Sequence, residues 1–352
     1  PRLIYAFDFV FKTRGVDYSF CISKSEFEES AVVSKLNYSR LRSDSLSIEP
    51  STLLFEEEVE KQKVSKESFQ GIECLSFDNV TDPIASVFYI LSRYEEYTSE
   101  HKDQHGRFPF EQSVLAKYNW IENAICDRWS NKICSFLGLE IEGNQPIKVI
   151  PTFDVDNTYA FLYKDKKRQF LSAIKDLFLF NFKRIKERSQ VLKTGVDPYD
   201  TFSRIKEIAA KFSQTKIFWL VESDGKFDRN VRINNQKHID LIQELQTVAE
   251  INLHPSYESN SEIEKIQIEK EKLENILDSA VRGSRQHFLK LDLSSTYKAL
   301  IKNGFKHDYT MGFAEHVGFR SGTARSHQWF DLSNNEVTEF IIHPFVYMDG
   351  SL

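Results

Sequence analysis

Apolar positions in the first third of the chain follow two rhythms. Short runs such as Leu3-Ile4-Tyr5-Ala6-Phe7 and Tyr18-Ser19-Phe20-Cys21-Ile22 predict strands. Asp82-Pro83 predicts a helix start, an N-cap followed by proline at the first helical position. Ile84, Val87, Phe88 and Leu91 then fall at i, i+3, i+4 and i+7, one buried stripe. A second helical stripe carries Ile121, Ile125, Trp129, Ile133, Phe136 and Leu137, and Gly138 stops it. Between the two helices, Asp103–Pro109 reads as a polar loop. The turn-rich segment Gly138–Pro146 marks a boundary between a smaller mixed α+β domain over residues 1–140 and a second domain over 147–352.

Beyond that boundary the rhythm changes to strands alternating with helices. Ile147–Phe153, Lys216–Val221, Ala249–Leu253, Val281–Arg285, Phe305–Tyr309 and Val337–Ile342 predict strands. A helix beginning near Asn235, a long amphipathic helix over Ser261–Ala280 capped by Ser261, and a helix over Ser294–Asn303 closed by Gly304 separate them. The alternation means βαβ units and a parallel sheet or barrel. One insertion breaks it. Residues 164–193 hold ten Lys and Arg against three acids, a local +7, so the rest of a chain of net charge −6 carries −13. The same insertion holds Phe170, Leu171, Leu177, Phe178, Leu179, Phe180 and Phe182. The commoner arrangement for such a segment is a helix packed on the domain with a solvated basic face. The alternative is peripheral contact with an anionic membrane, or with an acidic polymer.

Composition narrows the function classes. A chain of 352 residues can bury a sizeable core, and 41% apolar with 28% charged residues is an ordinary globular balance. The acidic net charge supplies no global field for nucleic acid. No run approaches the roughly 18 apolar residues of a membrane span. The 29 phenylalanines read as core filling rather than as a sugar-stacking surface. Cys21, Cys74, Cys126 and Cys134 lack C-x-x-C spacing and predict reduced, buried thiols. Pro1 onward shows no basic-then-apolar leader, which sets a cytoplasmic location as the expectation.

Polar residues gather where each predicted strand ends. These are Asp154 and Asp156, then Glu222 and Asp224, then His254, then Arg285 and His287, then His307 and Asp308. In α/β barrels the carboxyl ends of the strands form the active face. Carboxylates and a histidine brought together there suit a hard-metal or zinc site. The nucleotide signatures G-x-G-x-x-G and G-x-x-x-x-G-K-[ST] are missing, and so is G-x-S-x-G, which leaves metal-assisted hydrolysis ahead.

The segments VIPTFDVDNTY, EINLHPSY and VRGSRQHFLKL, in this order and spacing, resemble the NodB-type polysaccharide deacetylases. The later KNGFKHDYTMGFAEHVGFRSGT resembles the part of that domain after the arginine motif. Asp82–Tyr97 and His105–Pro109 look like stretches of a bacterial branch with an extra N-terminal domain. The resemblance implies a (β/α)7-type barrel that removes an N- or O-linked acetyl group from a carbohydrate with one divalent metal ion, zinc being the expected one. The substrate it implies is an acetylated or lipid-linked glycan. Carried over, Asp154 is the general base, Asp156 and His254 are metal ligands, and Arg285 orients the base. The backbone N–H of Phe288 helps bind the oxyanion, and Asp308 shapes the groove or caps a turn. Arg320 binds a sugar carboxylate or forms a structural ion pair.

Several positions depart from the family's pattern. Val155 separates aspartates that are usually adjacent. The usual second histidine ligand falls on Glu258, either a carboxylate ligand or a loop residue, and His287 is the other candidate third ligand or a supporting histidine. His343 is a candidate catalytic acid, although Pro344–Asp349 resembles a strand preceding the acid-bearing one, which suggests a missing C-terminal segment. His238 reads as solvated on a helix, while His316 and His327 flank a turn-rich loop and could line a groove. The competing expectation is a catalytically inactive domain that binds a glycan or a partner through the same cleft.

Overall fold

The structure, a computed structural model, describes residues 1–141 and 148–351. The second half of the expected boundary, and Ile147 at the head of the next expected strand, lie outside the described residues. The chain divides into two compact units. One comprises Pro1–Pro146, Asp292–Tyr297 and Thr310–Leu352, the other Ile147–Leu291 and Lys298–Tyr309. The second expected domain therefore does not run unbroken to 352. Its C-terminal part builds the first unit's core instead, because Phe313, Phe330 and Leu332 are buried there beside Phe88 and Trp129.

In the second unit, β1 (Thr152–Val155), β2 (Lys216–Trp219), β3 (Glu250–Leu253), β4 (Gly283–Ser284) and β5 (His307–Asp308) pair in parallel in that order. Ile217, Phe218 and Trp219 are buried in succession, the signature of a parallel strand covered on both faces. β1 is followed by α1 (Lys166–Phe178), α2 (Phe182–Thr194) and α3 (Phe202–Lys211); α4 (Gln236–Gln246) precedes β3, and α5 (Glu264–Leu277) precedes β4. α3 buries Phe202, Ile205 and Ala209, and α4 buries Leu241, Ile242 and Leu245, each an i, i+3 or i+4 stripe turned to the sheet. The expected (β/α)7 barrel is not closed. β1 has one neighbour among the described residues, so the five strands form an open run. Alternating strands and helices dictate parallel pairing, but nothing in that alternation dictates closure.

The insertion also departs from its commoner reading. α1 and α2 form a helical hairpin whose apolar side chains are not packed away: Leu177 is 59%, Phe180 76% and Phe178 77% exposed. Among the described residues no helix is long and apolar enough to cross a membrane.

In the first unit the expected strand at Leu3–Phe7 is a helix, Arg2–Val10. Its aromatic content favours a strand, yet Arg2, Tyr5 and Phe9 recur at i, i+3 and i+7 and are all buried. Residues 18–22 form no regular element, and Cys21, unlike the other three free thiols, is exposed. The helix Pro83–Leu91 starts as expected, with the Asp82 carboxylate accepting from Ile84 N–H and Ala85 N–H at 3.0 Å each. It packs beside the helix Ile125–Phe136, under a three-stranded antiparallel meander of Val64–Phe69, Ile72–Phe77 and Val80–Thr81. Tyr5, Phe88 and Phe330 form an aromatic triangle with centroids 5.1 to 6.1 Å apart. Phe330 comes from the antiparallel hairpin His327–Asp331 and Glu336–Ile342.

A buried charge cluster braces this unit. Arg320 donates to both carboxylate oxygens of Glu96, at 2.9 and 2.6 Å, and Arg93 donates to Glu96 at 2.7 Å and to Glu95 at 2.9 Å. Burial pushes the Glu96 carboxyl up, but the charges of Arg320 and Arg93 and their hydrogen bonds outweigh it and bring it down to about 2. Removing the carboxylate leaves two guanidinium groups buried and short of a partner, so Glu96→Ala should cost about 3–5 kcal/mol by urea denaturation at pH 7. Because the folded-state value is depressed from 4.5, this stabilisation is complete above about pH 4.5 and is lost as the pH falls toward 2. A variant that keeps the wild-type acid dependence would contradict the assignment.

Candidate metal centre

Three side chains at the carboxyl edge of the parallel sheet turn their ligand atoms on one another. Asp156 follows β1, His254 follows β3 and His287 lies past β4, and their ligand atoms all lie within 4.8 Å of each other. The parallel ladder brings them together. Leu253 pairs with Ser284, and backbone bonding continues beyond the strands. His254 N–H donates to the Trp219 carbonyl at 3.0 Å, Arg285 N–H to Leu253 at 3.1 Å, and His287 N–H to Pro255 at 3.2 Å. Val155 is buried, so strand alternation leaves Asp154 and Asp156 together on the side it does not take.

Both imidazoles are fixed by their far nitrogen. His254 Nδ1 lies 2.5 Å from the Arg285 carbonyl oxygen and His287 Nδ1 lies 2.8 Å from Asp228 Oδ1. A carbonyl and a carboxylate can only accept, so each Nδ1 carries the proton and donates. With Nδ1 as donor, Nε2 of each ring points at Asp156 Oδ1, at 3.1 Å for His254 and 3.7 Å for His287, and presents a lone pair wherever it carries no proton. Acceptors facing acceptors require a shared cation, either a proton or a metal ion. Burial pushes His254 down, but the charges of Asp154 and Asp156 and the hydrogen bond to Asp156 outweigh it, and its proton affinity is raised. Burial pushes Asp156 up, but the hydrogen bond and charge of His254 and the charge of His287 bring it down to about 2. Its side chain remains 54% exposed, so solvent screens this pair and its worth to stability is small.

Two nitrogens and one carboxylate oxygen, with both imidazoles backed by an acceptor, make a donor set that fits Zn²⁺ or a similar divalent ion with an open coordination position. Asp154 stands next to this set. Arg285 Nη1 donates to Asp154 Oδ1 and to Thr152 Oγ1, both at 2.9 Å, and its Nε donates to the Tyr309 carbonyl at 2.9 Å. Its guanidinium lies 4.5 Å over the Phe218 ring. Held on these sides, Arg285 aims the Asp154 carboxylate.

Of the two candidates for third ligand, the structure gathers His287 with Asp156 and His254, whereas Glu258 pairs with Lys265 at 2.6 Å. Phe288 and Leu289 both adopt left-handed φ, 60° and 50°, a strain of about 1–3 kcal/mol each that the surroundings must hold. The Phe288 ring packs on Phe227 and Tyr257 with centroids 5.1 and 5.3 Å away. Asp308 is buried and accepts from Ser284 Oγ at 3.0 Å. Arg320 and His343 belong to the other unit. There Arg320 is committed to Glu96, and His343 Nδ1 lies 2.7 Å from Ser326 Oγ. In that unit His316 stacks on Phe110, and His327 is buried in a strand, where burial pushes it down to about 4. His238 is not solvated. It is buried, accepts from Trp219 Nε1–H at 2.8 Å, and burial pushes it down to about 4.

Asp228 escaped the sequence reading, since a lone acid in a polar loop looks solvated. It is 1% exposed and also accepts from Tyr257 N–H at 2.9 Å, so it fixes both the His287 ring and the loop after His254. Its one sequence signal is Gly225, where an added Cβ would lie 2.6 Å from Asp228 Oδ2. Ser256 in the same loop is held by Glu269 of α5, through its N–H at 2.9 Å and its Oγ–H at 2.5 Å.

Residues 1–141 match the model of a family of unknown function, DUF7033. No curated protein matches the chain. Among solved structures, a provisionally assigned polysaccharide deacetylase from Mycobacterium smegmatis aligns at 15% identity with a TM-score of 0.34, over 58% of this chain and 62% of that one. The aligned part is thus less than two thirds of that structure's length.

Zinc titration against a competing chelator checks the donor set. His254→Ala and His287→Ala should each lose high-affinity binding, Asp228→Ala should weaken it about 10–100-fold, and Glu258→Ala should leave it unchanged. Since the proton on His254 competes and is held more tightly than the ordinary 6.5, affinity should begin to fall above pH 6.5 on acidification. Full affinity in His287→Ala would remove that residue from the site.

Proposed function

We propose that the chain is a metal-dependent hydrolase that removes acetyl groups, N- or O-linked, from a carbohydrate. The observation that carries this reading is the convergence of two imidazole lone pairs on Asp156, with the Arg285-aimed Asp154 alongside. Asp156, His254 and His287 would hold one divalent ion, for which zinc is the best fit. Such an ion supplies Lewis acidity toward a carbonyl oxygen and acidifies water. Asp154 would take the proton from the water that adds to the acetyl carbon, and Arg285 keeps that carboxylate pointed. The bond from the carbonyl carbon to nitrogen or oxygen then breaks, acetate departs, and the freed amine or hydroxyl takes up a proton. The backbone N–H of Phe288 is the candidate oxyanion donor.

A carbohydrate substrate is favoured by the resemblance of the three strand-end segments to NodB-type deacetylases, and by the aromatic trio beside the site. Phe227, Tyr257 and Phe288 are each half-buried and in mutual ring contact. Phe227 adjoins Asp228 and Phe288 adjoins His287, so an apolar sugar face stacked on them would lie close to the metal ligands. Asp308 supports the reading indirectly, by holding Ser284 at the end of β4.

Acetate release from N-acetylglucosamine oligomers and from O-acetylated xylan, with zinc-loaded protein, tests the proposal. Asp154→Asn should lower release about 10²–10⁴-fold while zinc affinity persists. Oligomer binding without acetate release by the loaded wild-type chain would overturn hydrolysis and leave a glycan-binding domain.

A further inference from the structure

The hairpin of α1 and α2 inverts the usual arrangement of a globular insertion. Its two helices are tied by polar groups: Arg188 donates to Asp176 at 2.5 Å, to Ser172 at 2.8 Å and to the Gln169 carbonyl at 3.2 Å. The turn is equally well made. Asn181 N–H donates to the Asp176 carbonyl at 2.8 Å, and the Asn181 side chain caps α2 by accepting from Arg184 N–H. Arg184 and Arg188 also lie over the Phe161 ring, which pins the hairpin's inner side to the segment after β1. With the polar groups turned inward, the tip presents Leu177, Phe178, Leu179, Phe180 and Phe182 to solvent, all between 59% and 77% exposed. Soluble monomers seldom expose so contiguous an apolar patch without a partner for it.

Around this tip stand the exposed cations Lys175, Lys183 and Lys186. We propose that the hairpin tip inserts shallowly into an anionic lipid bilayer, its aromatic and leucine side chains at the acyl boundary and its basic collar at the phosphate level. Each helix is 13 residues, about 20 Å, and too short and charged to span. Charge complementarity selects this occupant. The +7 of residues 164–193 against −13 elsewhere gives the chain a basic pole that a negative surface would draw hairpin-first. The same concentrated charge opposes tip-to-tip pairing with a second copy, and an acidic polymer would leave the apolar tip in water.

Co-sedimentation of the full chain with phosphatidylcholine vesicles, with and without about a third phosphatidylglycerol, tests it. Binding should require the anionic lipid and weaken as salt is raised. The double variant Phe178→Ser/Phe180→Ser should lower partitioning roughly tenfold or more, because it removes apolar area that only the bilayer covers. Lys183→Gln/Lys186→Gln should weaken binding to anionic vesicles without altering the melting temperature. Absence of binding at low salt, or binding untouched by both variants, would overturn the proposal. So would concentration-dependent self-association, lost in the serine variant and unaccompanied by vesicle binding, which would make the tip an interface between copies.

Discussion

The far nitrogen of each imidazole at the sheet edge is where the structure commits the site. Once the Arg285 carbonyl and the Asp228 carboxylate accept from Nδ1 of His254 and His287, the opposite nitrogens point at the Asp156 carboxylate, and only a shared proton or metal ion reconciles the three groups. This convergence depends on parallel register. His254 and Arg285 follow the paired residues Leu253 and Ser284, so the carbonyl that holds the His254 ring belongs to the residue whose guanidinium holds Asp154. A shift of one strand against its neighbour would separate these roles, since side chains alternate faces with a period of two. The fold and the donor set are therefore one constraint seen at two scales.

The same rule, that a buried charge is tolerated only with its complement, governs the first unit. Arg93, Glu95, Glu96 and Arg320 are nearly solvent-free and pair charge with charge, with Phe313 beneath both guanidinium groups at 5.9 and 5.4 Å. A sequence cannot separate an arginine waiting for a sugar carboxylate from one already paired with Glu96, because the pairing joins positions far apart in the chain. His238 makes the same point in reverse. Its helix position suggests solvent, yet Trp219 and Thr158 supply polar partners inside the unit.

What was legible in the sequence had short-range physical causes. The Asp82-Pro83 cap, the apolar runs of β2 and β3, and the polar residues that follow them need only local pattern and chain geometry. Asp154, Asp156, His254 and Arg285 stand out as candidates for that reason, each where an apolar run stops. The helix Arg2–Val10 departs from its strand-like pattern because its aromatic residues, which signal strands, here serve a helix packed into a core rich in other rings. That Asp228 meets His287, and that His287 rather than Glu258 lies beside Asp156 and His254, is not legible, since both are set by which residues meet across strands. The assignment of the last forty residues to the first unit was hidden for the same reason.

The hairpin after β1 departs from the interiors of both units. Elsewhere in the chain Phe88, Phe218, Phe330 and Phe340 are buried almost completely, and charge is either solvated or paired. At the hairpin the ordering is reversed, with a paired, capped polar interior and an apolar exterior ringed by lysine. Water disfavours that arrangement on every exposed ring. The hydrogen bonds of Arg188 and Asn181 occupy the hairpin's inner side, the place where those rings would otherwise be buried. A surface built this way is matched to a medium that is apolar a few ångströms deep and negative at its face, conditions that neither the chain's own acidic remainder nor bulk solvent provides.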